Sequence, residues 1–243
     1  MDISYKGTNY HGWQIQPNGN TVQAELEKAL STILKTTTAV TGSGRTDTGV
    51  HATQQIAHFE CEEKFEPSDL AYKLNSFLPK DISINAVKAV IDDAHARFSA
   101  EKRKYHYHLN GNKNPFLTEQ SYYFSNTLNI EAINRANKII ESWQNFECFS
   151  KVHTEVNNFV CTIFEASWKC QGDKHIFSIT ANRFLRGMVR AIVGTLIDVG
   201  TEKKSLSDFE EILKSNDRKQ AGRSVPAHGL FLQEVTYSPN IYL

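Results

Sequence analysis

The chain carries no net charge to offer a partner: 27 basic residues cancel 27 acidic ones over 243 positions. A polyanionic ligand is therefore not signalled by bulk charge, and any nucleic-acid surface must gather its cations locally. Cysteine is scarce. Cys61, Cys148, Cys161 and Cys170 show neither C-x-x-C spacing nor histidines at zinc-finger spacing. This argues against a disulfide framework and a structural zinc, and fits reduced thiols in the cytosol. No apolar run approaches the roughly 20 residues of a membrane span. The opening residues, MDISYKGTNY, lack an apolar signal region and start almost inside a strand pattern. There is no GK[ST] phosphate loop, and no long Gly/Ser/Pro linker separates parts of the chain. What remains is 40% hydrophobic and 22% charged, an ordinary globular composition with length for one large domain or two smaller ones.

Helical periodicity is clear in five places. NTVQAELEKALSTILK aligns Val22, Leu26, Ala29, Leu30 and Ile33, with Asn20 and Gln23 spaced as a capping box. PSDLAYKLNSFLP is closed by Pro79. NIEAINRANKIIESW aligns Ile130, Ile133, Ala136, Ile139 and Ile140. FLRGMVRAIVGTLIDVG is broadly apolar with Gly200 as a stop, and SDFEEILKSN is a last short helix. Strands are expected near 36–41, 50–60, 82–91 and 102–109. A hairpin is expected around Gln171-Gly172-Asp173, and a final strand in GLFLQEVTY. The order strand–helix–strand–strand–helix–strand occurs about twice with a seam near residue 100. That is a mixed α+β chain in two packed halves, with a cleft between them as the place for a site.

The densest chemistry lies in GSGRTDTGVHA, residues 42–52. As a phosphate loop it fails, because a strand rather than a helix N-terminus follows it. As an aspartic-protease triplet, Asp47-Thr48-Gly49 needs a second carboxylate sharing its proton. Asp198-Val199-Gly200 or a second copy of the chain would have to supply it, and Arg45 favours the charged form that this chemistry must avoid. As a plain turn, glycines 42, 44 and 49 would supply positive φ. Against that stands the crowding of Arg, Thr, Asp and His into one short loop.

The whole string resembles the GRTDxGVHA loop of the tRNA pseudouridine synthase A family. TNYHGWQIQPNGNTVQAELEKAL, HARFSAEKRKYHYHL, FLRGMVRAIVGTL and VPAHGLFL resemble further segments of that family, in its order, across residues 5–232. The resemblance implies a pseudouridine synthase fold: two similar sheet-and-helix halves, mostly antiparallel sheets and a central cleft. Residues 1–101 would carry the aspartate loop, and 102–243 the tyrosine strand and the arginine helix. It implies a cytoplasmic, cofactor-free and metal-free homodimer that converts uridine to pseudouridine at tRNA positions 38, 39 and 40, in the anticodon stem-loop.

Residue by residue, the resemblance makes Asp47 the nucleophile, Arg190 its salt-bridge partner and Tyr105 the ring stacked on the target uracil. Arg45 would enter the RNA beside the flipped base. Leu230, with Leu232 as the competing choice, would lie beneath the uracil ring. A carboxylate is ionised at neutral pH without special tuning, and a guanidinium fork suits its orientation. Arg183, Arg186 and Arg190 fall at i, i+3 and i+7, which on one helix would make a basic stripe for phosphates. Lys102, Arg103 and Lys104 suit an RNA-facing position, Tyr107 suits the core, and His51 is read as structural. Family members begin several residues earlier, so the edge of the first sheet is expected to be affected; Lys6 replaces an acidic residue of the family pattern. The rival readings are a non-catalytic tRNA-binding or folding protein with a vestigial loop, and a dimeric aspartic protease.

Overall fold

A computed structural model of the chain describes residues 1–62, 64–152 and 157–243. In chain order its elements are β1 (Asp2–Tyr5), α1 (Val22–Leu34), β2 (Thr41–Gly42), β3 (His51–His58), α2 (Pro67–Phe77), β4 (Ile82–Ala86), β5 (Ala100–Asn110), β6 (Tyr122–Tyr123), α3 (Ile130–Ser142), β7 (Ile163–Gln171), β8 (Lys174–Ala181), α4 (Met188–Gly200), α5 (Leu206–Ser215) and β9 (Leu230–Tyr237). The fold is mixed α+β with mostly antiparallel pairing, as expected. Two compact units are present: Met1–Arg103 with Phe231–Leu243, and Lys104–Leu230.

In the first unit β1 lies between β3 and β4, antiparallel to both, and the last strand, β9, joins β3 in parallel with His51 opposite Phe231. The strand that opens the chain is thus internal, and the edge position expected for it belongs to β4. The alternation of the pleated backbone along β1 buries Ile3 and Tyr5. Val22, Leu26 and Leu30 of α1 and Leu74 of α2 are fully buried in the same unit. The cap of α1 is Thr21, whose hydroxyl accepts from the Ala24 amide at 3.3 Å; Asn20 and Gln23 do not form the expected box. Gln23 instead accepts from the Ile15 amide and donates to Val40 O, tying the N-terminal loop to the chain beyond the helix. Two strands are shorter than the periodicity suggests. Only Thr41–Gly42 pairs of residues 36–42, and β4 stops at Ala86.

In the second unit β8 lies between β5 and β7, and β6 runs parallel to β5. The β7–β8 hairpin turns at Gly172, φ +59°, as the sequence indicates. α3 covers β7: Asn134 accepts from the Trp168 amide at 3.2 Å and Glu141 from the Ala166 amide at 2.9 Å. Gly200 is the last residue of α4 rather than a stop beyond it. A Cβ there would come within 2.6 Å of Ile133 Cδ1, so glycine serves the α3–α4 approach. α4 itself begins later than its apolar run. Gly187 caps it at φ +73°, which places Arg183 and Arg186 outside the helix; the three-arginine helical stripe does not exist. Among the described residues no disulfide forms, and no helix is long and apolar enough to cross a membrane.

Candidate active site

The Asp47 loop joins β2 to β3 and is fastened from beneath. Tyr5 on β1 meets the Thr46 hydroxyl at 2.8 Å, and Thr46 O accepts from the Trp13 amide at 3.2 Å. Gly12, φ +90°, lies so close that a Cβ would stand 2.3 Å from Thr46 O. After the aspartate the chain turns sharply: the Val50 amide donates to Asp47 O at 3.1 Å, and Gly49 takes φ +77°. Of the three loop glycines only Gly49 needs positive φ. Gly42 is required for space, since a Cβ would lie 2.5 Å from the Trp13 indole. Thr46 is therefore buried, while its neighbours point outward: Arg45 and Thr48 are exposed and Asp47 is half-buried.

His51, only 1% exposed, follows the loop. Its Nδ1 accepts from the Gly7 amide at 2.9 Å, and its ring lies 4.6 Å from that of Phe231. An accepting Nδ1 places the proton of the neutral ring on Nε2. The histidine is a spacer between β3 and the Gly7 turn, in keeping with its structural reading.

Tyr105 and Arg190 belong to the second unit. Tyr105 is half-buried, with the Phe184 ring edge-on at 5.0 Å. Tyr107, two residues on, is fully buried and donates to Pro226 O at 2.8 Å. Burial raises its phenol well above the usual range, only partly opposed by the Arg190 guanidinium. It is the core partner that the sequence suggests. Arg190 stands in the first turn of α4. Its Nε donates to Val225 O at 2.7 Å, and its own carbonyl accepts from the Val225 amide at 3.2 Å. The Nε bond ties the guanidinium to the VPAHGL segment, and the backbone bond ties that segment to α4.

Of the remaining candidates, Arg183 is half-buried and Arg186 exposed, both in the turn before Gly187; Arg186 O accepts from the Lys151 amide at 2.9 Å. Leu230 and Leu232 are both buried, at 6% and 1% exposure, so burial does not choose between them. Arg103 departs from its RNA-facing reading. Its guanidinium donates to three backbone carbonyls, of Ser43, Arg97 and Ala100. Nothing in the local sequence marks that role, because one carbonyl is 60 residues away. Burial pushes the Cys148 and Cys161 thiols up to about 12 and about 11, so both stay protonated at neutral pH. Among the described residues no group of three His, Cys, Asp or Glu side chains could hold a metal ion.

Comparison with known proteins identifies the family. Residues 2–99 and 143–238 match the family described as tRNA pseudouridine synthase. A tRNA pseudouridine synthase A of Parabacteroides distasonis is 46% identical over 241 residues, covering 99% of this chain and 96% of its own. That of Porphyromonas gingivalis is 46% identical over 245 residues, covering 99% and 97%. That of Bacillus subtilis is 41% identical over 239 residues, covering 97% of each. With the family match covering most of the chain, and with relatives 41–46% identical over nearly its full length, the chain belongs to the tRNA pseudouridine synthase family.

Proposed function

We propose that this isomerase converts uridine to pseudouridine at positions 38, 39 and 40 of tRNA, in the anticodon stem-loop, with Asp47 as its nucleophile and no cofactor. The observation that carries the reading is the Asp47 loop. Asp47 is half-buried, between buried Thr46 and exposed Thr48, on a backbone fastened through Thr46, Gly12 and Val50. A carboxylate held in a fixed position is what covalent attack on a nucleoside requires. The reaction breaks the bond between ribose C1′ and uracil N1, turns the base, and joins C1′ to C5; the proton leaving C5 is matched by the one gained at N1. No electron or group is transferred to another molecule, so no redox or group-carrying cofactor is called for.

In this reading Arg190 pairs with the Asp47 carboxylate and Tyr105 stacks on the uracil. Arg45 enters the RNA and helps to keep the target base out of the stack, where unstacking costs a few kcal/mol. Arg183 and Arg186 meet phosphates from the turn before α4 rather than from a helix face. Leu230, or Leu232 in its place, supports the uracil ring. The working form is taken to be a cytoplasmic homodimer.

Single-turnover assays on unmodified tRNA test the assignments. Asp47→Asn should reduce pseudouridine formation to background with tRNA affinity unchanged; turnover in that variant would remove the nucleophile role. Arg190→Ala should lose roughly 100-fold in rate, about 2.7 kcal/mol of barrier, and a near-normal rate would break the pairing. Tyr105→Phe and Tyr105→Ala separate hydroxyl chemistry from stacking. A fully active Ala variant would leave neither role standing.

A further inference from the structure

Arg103 lies in the sequence KRKY, where charge alone suggests contact with RNA. The structure spends its guanidinium on the protein. Nη1 donates to Ala100 O at 2.8 Å, and Nη2 donates to Arg97 O at 2.7 Å and to Ser43 O at 3.1 Å. Ser43 is the residue at which the chain leaves β2 for the Asp47 loop, and it is 1% exposed. The same corner is held by Gln55 on β3. Its side-chain oxygen accepts from the Ser43 hydroxyl at 2.5 Å, and its side-chain nitrogen donates to Gly44 O at 3.0 Å. Gln55 has no exposed surface, so an amide that failed to pair there would carry a desolvation cost. Beyond Arg103, Tyr237 on β9 donates to Ala96 O at 2.5 Å. That bond closes the turn at 96–100 from which Arg103 takes two of its three acceptors.

We propose that Arg103, acting beside Gln55 on the Ser43–Gly44 corner, is a positioning residue that sets the Asp47 loop for attack rather than a contact for RNA. Planar geometry is the reason for arginine. One guanidinium spans three carbonyls in a fixed fork, whereas a lysine ammonium is a compact point donor on a flexible stem. Thr46 and Gly12 hold the residue just before Asp47; Arg103 and Gln55 hold the start of the loop at Ser43–Gly44. Releasing either corner moves the carboxylate without touching it.

The inference rests on Asp47 being the nucleophile, and the test separates the two. Arg103→Lys, Arg103→Ala and Gln55→Ala are compared with wild type for kcat, KM, tRNA affinity as a function of salt, and melting midpoint. The expected result is a fall in kcat of roughly 10- to 100-fold in Arg103→Ala, in the range that displacements of about 1 Å produce. Arg103→Lys should fail to restore it, and Gln55→Ala should share the defect. The tRNA dissociation constant and its salt slope should be unchanged in all three, at a temperature well below each variant's melting midpoint. An RNA contact behaves the other way: weaker binding, a salt slope smaller by about 1, and kcat intact. That pattern, or an active Arg103→Lys, overturns the proposal. If Asp47→Asn is inactive while Arg103→Ala turns over normally, only this inference falls; if Asp47→Asn is active, the nucleophile reading falls with it.

Discussion

At Gly12 two constraints meet on one residue. The backbone has φ +90°, a region that L-residues avoid, and a Cβ would stand 2.3 Å from Thr46 O. Gly12→Ala should therefore cost stability of about 1–3 kcal/mol from strain and slow the reaction by shifting the loop. A lowered urea midpoint with unchanged m-value is the stability readout. Asp47 was legible in the sequence because its surroundings form one contiguous string. Gly12, Gln55 and Arg103 were not, because their partners in the loop lie from 11 to 60 residues away and nothing along the chain records who meets whom. The string also concealed which glycine does what: only Gly49 is a conformational glycine, and Gly42 is a gap for an indole.

Among the elements, all five helices were legible from apolar periodicity, and their ends were less so. α3 starts where expected, with the Asn129 side chain accepting from the Ala132 amide at 3.0 Å. Asn129→Ala should cost about 1 kcal/mol and Asn129→Ser much less, read as a shift of the denaturation midpoint. α4 shows why ends are harder. Leu185 and Met188 are both buried, so the apolar pattern runs unbroken through Gly187, yet the backbone there is left-handed. Periodicity reports which side chains are inside, not the φ of the residue between them. Arg183 and Arg186 were thus placed on a helix that begins only at Met188. The short pairing of β2 has a similar cause: Thr38 and Val40 are buried as a strand pattern requires, but only Thr41 and Gly42 pair.

For the whole molecule, four histidines share one physical state. His58 in the first unit and His106, His175 and His228 in the second all have lowered pKa values, with burial the largest cause in each. Beside burial, His95 also disfavours charge on His58 and Lys104 on His106, while Asp173 opposes the shift at His175. Folded pKa values below the unfolded one mean that the unfolded chain binds more protons in that window. Stability is then fully present above about pH 6.5 and falls as pH drops toward the folded values. The melting midpoint should decline on going from pH 7 to pH 5. A flat profile below pH 7 would contradict the histidine account.

The central claim concerns one carboxylate and three nucleotides. It is tested most directly by incubating the purified chain, with no cofactor added, with an unmodified tRNA carrying uridines at 38, 39 and 40, and mapping pseudouridine at nucleotide resolution beside Asp47→Asn. The account predicts pseudouridine at those positions alone with the wild-type chain and none with the variant. Tight binding without modification, modification elsewhere in the tRNA, or an active Asp47→Asn would contradict it.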